Sequence, residues 1–164
     1  MKKNIKSIIA DCIPQIKKDL TLNGLSHLNN FSITVVSPTK MKDPDWLACY
    51  RSNSIYGSAP IFWVRRDFYR VAEKIIQKIN KKYGPSTNHI IESEVEDHFY
   101  KTIIHEIVHA ICNLYSRYPI LSNYVNPMTE EPFCEDMSES IMNDTFKEES
   151  CYHTVQKCLK DFYG

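Results

Sequence analysis

Apolar residues recur along the chain at helical spacing in some stretches and at every second position in others, and the change of rhythm marks the elements. Ile5, Ile8, Ile9, Cys12, Ile13, Ile16 and Leu20 share one face of a helix over residues 4–20, which Pro14 kinks or splits and Asn23-Gly24 ends. Residues 31–37 alternate and are β-branched, which predicts a strand stopped by Pro38. A second strand is expected over 46–51. After turn residues at 52–54 and Gly57-Ser58 comes a third, over 59–64, apolar on both faces and with Pro60 near its start suiting an edge. Helical spacing returns over 67–83 on Phe68, Val71, Ala72, Ile75, Ile76 and Ile79, closed by Gly84-Pro85, with Lys74, Lys78, Lys81 and Lys82 as a solvated face.

A connector over 86–92 leads to Ser93-x-x-Glu96, a capping box expected to open a long helix that runs through His109 to about Tyr115. Residues 117–128 read as a loop. A helix opens at Thr129-Glu130-Glu131-Pro132 with Phe133, Met137 and Ile141 as its stripe, and a last one over 149–162 rests on Cys151, Val155, Cys158, Leu159 and Phe162. The sum is a single α+β domain spanning 1–164, in which a small, about three-stranded sheet packs against several helices.

Lys and Arg number 20 and so do Asp and Glu, so the chain carries no basic footprint for nucleic acid. Ten Tyr, seven Phe and two Trp supply a core rather than a disordered chain. The basic start at Lys2-Lys3 is followed too soon by Asp11, Pro14 and Lys17 for a signal peptide, and no run reaches the ~18 apolar residues of a membrane span. The expectation is a cytoplasmic protein with no membrane partner. Six cysteines without a Cys-x-x-Cys spacing are expected to be reduced and packed; Cys112, three residues after His109, reads as a small core residue.

The long helix carries the chemistry. Within Lys101-Thr-Ile-Ile-His105-Glu106-Ile-Val-His109-Ala-Ile-Cys112, residues four apart lie on one helical face, so His105 and His109 can aim two imidazoles at a single ion. Glu106, one step round, can reach a water on that ion and act as general base for hydrolysis. Ile103, Ile104, Ile107, Val108 and Ile111 make the helix mostly apolar, where two histidines and a carboxylate are costly unless paired or metal-bound. His98, seven residues before His105, is too far along the helix to share the ion.

Zinc with two imidazoles needs a further protein ligand and an open place for water. The metzincin continuation would need Gly and His where Cys112 and Tyr115 stand, so that branch is excluded and a carboxylate from the next helix is favoured over His153. With Glu131-Pro-Phe-Cys134-Glu135 following the two histidines, the chain resembles the gluzincins, the thermolysin-like zinc peptidases, over residues 59–143, and it is similar there to small phage and bacterial proteins of expected peptidase type. The resemblance implies a zincin-like fold, Glu131 as third zinc ligand and Glu135 orienting a ligating histidine. A competing register, Glu135-Asp-Met-Ser138-Glu139, would shift both roles by four residues. The resemblance also implies that the strand at 60–64 forms the cleft's rim, where an extended peptide could add as a strand.

The function expected is zinc-dependent peptide-bond hydrolysis of a peptide or protein substrate, with one zinc per chain and an oxyanion partner among Tyr118, Tyr124, Tyr152 and His153. The alternative is a zinc-binding regulatory or interaction protein, in a phage–host or toxin context, without turnover.

Overall fold

The computed structural model describes residues 4–51, 55–81 and 88–164. Among them are five α-helices and one three-stranded sheet, an α+β architecture: α1 (Ile5–Leu22), β1 (Ser32–Val36), β2 (Ala48–Arg51), β3 (Ile61–Arg65), α2 (Phe68–Asn80), α3 (Asn88–Cys112), α4 (Glu130–Met142) and α5 (Tyr152–Tyr163). The turns expected at 52–54 and at Gly84-Pro85 lie outside the described residues. None of the described helices is long and apolar enough to cross a membrane.

The helix α1 begins where Asn4 accepts the Ser7 N–H at 2.9 Å, and it buries Ile5, Ile8, Cys12, Ile16 and Leu20. It runs through Pro14 without a break. Pro14 and Ala10, whose carbonyl loses its partner, are both exposed, so water can take over the missing bond. The sheet order is β1-β3-β2, with β1 parallel and β2 antiparallel to β3. The third strand is therefore central, contrary to the edge position that Pro60 suggested. Proline costs the ladder nothing here, because β3 starts one residue later and the Pro60 carbonyl accepts the Ser32 N–H at 3.0 Å. Phe62 and Val64 are fully buried beneath it.

The helix α3 starts at Asn88, not at the capping box of Ser93. Ile91, Val95 and Phe99 are buried one turn apart, and that stripe carries the helix back past the local start signal. Phe68 of α2 meets Phe99 edge-on at 5.4 Å between ring centroids. In α4, Pro132 falls in the first turn, where its missing N–H had no partner to lose; Cys134, Met137 and Ile141 face the core. The buried side chains of all five helices and the sheet join in one core, and α3 lies across its middle.

Candidate metal centre

Two helices and one strand edge enclose the motif. Burial of Ile103, Ile104, Ile107, Val108 and Ile111 fixes the rotation of α3, and His105 and His109 then project from the remaining face. Their rings lie 4.9 Å apart at 71°. The first turn of α4 stands opposite. Glu131 spans both imidazoles, with Oε2 at 3.2 Å from His105 Nε2 and Oε1 at 2.8 Å from His109 Nε2. Glu130 Oε2 approaches the other side of the second ring, 3.4 Å from His109 Nδ1. One turn further along α4, Cys134 is wholly buried, with its Sγ 3.8 Å from that of Cys112.

Glu106 is held elsewhere: its Oε2 accepts the backbone N–H of Tyr50 at 2.8 Å. The sheet register explains why that donor is available. Arg65 N–H bonds the Leu47 carbonyl at 2.9 Å, so the alternation of the antiparallel ladder turns the N–H and C=O of Ala48 and Tyr50 away from β3 and toward α3. Between strand edge and helices lies a cleft of about 480 Å³. Trp46, Ala48, Cys49 and Tyr50 form one wall, His105, Glu106, His109 and Asn113 the floor, and Glu130 and Glu131 the far side.

The charges of these groups are tightly linked. Burial pushes the Glu106 carboxyl up to about 7, against the opposing pull of the His109 charge and the Tyr50 N–H, while Glu131 adds to the rise. For His109 burial works downward, but hydrogen bonding and charge from Cys134, with Glu106 and Glu131, carry it up to about 9. A hydrogen bond from Cys112 lowers the Cys134 thiol, aided by His109 and opposed by burial, and the same bond raises Cys112.

The donor set fits a small divalent ion. In a tetrahedral zinc site with ~2.0–2.1 Å bonds, neighbouring N and O ligands stand ~3.3 Å apart; Glu131 Oε2 lies at that spacing from His105, and its other oxygen, Oε1, lies closer to His109, at 2.8 Å. His105, His109 and Cys134 also offer one donor atom each, all within 4.8 Å of one another.

The motif residues His105, Glu106 and His109 and the expected ligand Glu131 thus come together. Glu135 and Glu139 are exposed on α4, and the additional acid beside a histidine is Glu130. The rim is β2 rather than residues 60–64, because β3 occupies the middle of the sheet. None of Tyr118, Tyr124, Tyr152 and His153 is among the described residues lining the cleft; the Tyr118 hydroxyl instead donates to Asp161 Oδ2 at 2.5 Å. His98 sits apart, its ring 5.9 Å from that of Phe68. Sequence reasoning missed Trp46, Tyr50, Asn113 and Cys134. Helical spacing could have found two of them, since Asn113 follows His109 by four and Cys134 follows Glu131 by three. No protein-family model, curated protein or solved structure matches the chain.

Proposed function

We propose that the chain is a zinc-dependent metallopeptidase of gluzincin-like type on a zincin-like domain, cleaving peptide bonds in a peptide or protein substrate. His105, His109 and Glu131 would hold one zinc ion per chain. The chemistry zinc supplies when bound is polarisation of the scissile carbonyl and acidification of a water. Glu106 accepts the proton of the attacking water and returns it to the leaving amine. The outward N–H and C=O groups of Ala48 offer an extended peptide a strand to pair with. Six unpaired cysteines suit a reducing, cytoplasmic setting.

One observation carries the reading: the two carboxylates beside the histidines occupy different places. Glu131 spans both imidazoles, whereas Glu106 is held off them by the Tyr50 N–H, at the cleft surface, with a pKa of about 7 that suits a base near neutral pH. A second reading, a zinc-binding regulatory or interaction protein without turnover, is favoured by Cys134, which adds a further donor and could close the site.

The test combines metal analysis with proteolysis of an unstructured protein. The purified protein should hold about one zinc, and His105→Ala or His109→Ala should lose it. Glu106→Gln should keep the zinc yet cleave at least ~10²-fold more slowly. A zinc-loaded wild type that cleaves nothing would establish the second reading, and undiminished cleavage by Glu106→Gln would refute the base.

A further inference from the structure

We infer that Cys134 is itself a ligand of the ion held by His105 and His109, so that the centre is a mixed imidazole, carboxylate and thiolate site. The inference rests on the metal-centre reading above and goes beyond its ligand set. Its first support is placement: one donor atom from each of His105, His109 and Cys134 falls within a 4.8 Å span. Tetrahedral coordination with a ~2.3 Å Zn–S bond needs N···S separations near ~3.6 Å, a closing movement within the reach of side-chain rotation.

The second support is the geometry of α4. Cys134 follows Glu131 by three residues, so both project from one helical face toward α3. They differ in depth: Cys134 is wholly buried, whereas Glu131 is 66 % exposed at the cleft mouth. The third is the neighbour. Cys112, also fully buried, lies 3.8 Å from Cys134 sulfur to sulfur and can donate its S–H to a bound thiolate, as a supporting hydrogen bond does at metal centres. On binding, the sulfur–hydrogen bond of Cys134 gives way to a sulfur–metal bond and the proton passes to solvent, with no change of oxidation state.

Four protein donors fill a tetrahedral ion. Glu131, the exposed donor, would be the one to yield its place to water, with His105, His109 and Cys134 as the remaining protein ligands. A thiolate in the set also selects zinc or cadmium over magnesium or calcium.

X-ray absorption at the zinc edge of the zinc-loaded full chain tests this directly. A sulfur shell at ~2.3 Å is expected beside the ~2.0–2.1 Å nitrogen and oxygen shell. It should vanish in Cys134→Ala and persist in Cys49→Ala and Cys112→Ala, the other thiols near the cleft. Should Cys134→Ala fail to fold, Cys134→Ser, which keeps the size of the side chain and removes the sulfur, supplies the same test. A nitrogen and oxygen shell alone in the wild type overturns the inference and leaves the two-histidine centre standing. A sulfur shell lost with Cys49 or Cys112 overturns it too. A chain that binds no zinc removes the metal-centre reading and this inference together.

Discussion

At the scale of single residues, the site separates two carboxylates that the sequence places 25 positions apart in the chain. Glu131 faces both imidazoles from a solvent-exposed position, and Glu106 is enclosed between α3 and the edge of β2. That enclosure has a consequence for stability in the metal-free protein. The folded pKa of Glu106, about 7, lies above the ordinary 4.5, so the folded chain keeps a proton that the unfolded chain releases. The stability tied to that proton is complete below about 4.5 and is lost as the pH rises through about 7. His109 acts in the same sense over a higher window, its folded value of about 9 standing above the ordinary 6.5. The metal-free wild type should therefore weaken steadily from mildly acid to alkaline pH. Glu106→Gln should remove the lower part of that slope, between about 4.5 and 7, and shrink the upper part, because the Glu106 charge helps to hold His109 up. Urea midpoints measured across the range decide it: an identical slope in wild type and variant would show that Glu106 does not titrate as its surroundings dictate.

At the scale of elements, the helices are held in register by contacts that periodicity does not display. Asn23 was legible only as the end of α1, yet it is fully buried and ties three segments together. Its amide donates to the carbonyls of Asp19 at 2.8 Å and Ile141 at 3.1 Å, and its oxygen accepts the Phe146 N–H at 3.2 Å. Asn23→Ala would leave the Phe146 N–H buried without this partner, at ~1–3 kcal/mol, whereas the Ile141 carbonyl keeps the Asp144 N–H at 3.2 Å. A fall in unfolding free energy of at least ~1 kcal/mol is expected from denaturant titration; a loss under ~0.5 kcal/mol would mean that water replaces the bond. The contrast with α1, α4 and α5 is instructive. Their apolar stripes are local patterns, and they appear where the spacing put them. The start of α3 was misjudged because Ile91, Val95 and Phe99 outweigh the cap signal at Ser93, and the position of β3 because Pro60 lies just outside the strand it precedes. The cleft wall of Trp46 to Tyr50 was hidden for a related reason: strand order is a property of pairing across the chain, not of any one segment.

At the scale of the whole molecule, the same division between local and distant explains how much of the site could be read beforehand and what the metal should do to the fold. His105, Glu106 and His109 belong to one helical turn and were legible from spacing alone. Glu131 and Cys134 reach the same point only because α4 packs on α3, across the intervening segment from Asn113 to Thr129. An unfolded chain retains at most the two histidines as a loose pair, whereas the folded chain presents all the donors at once. A metal ion bound there would therefore favour the folded state, by a margin that depends on the donors from α4. With free zinc at ~100 times its dissociation constant, the stabilisation is ~2.7 kcal/mol. For a domain of this length, that corresponds to a rise in Tm of about 5–11 °C. Removing zinc with a chelator should lower the melting temperature by that amount, and adding it back should restore it. Glu131→Gln should shrink the shift while leaving the metal-free melting temperature little changed, since the side chain is largely exposed. The doubly substituted His105→Ala, His109→Ala protein should show none. A shift that persists in the double variant would place the stabilising zinc elsewhere on the molecule, and an unshifted wild type would mean that the packing of α3 on α4 owes nothing to a metal ion.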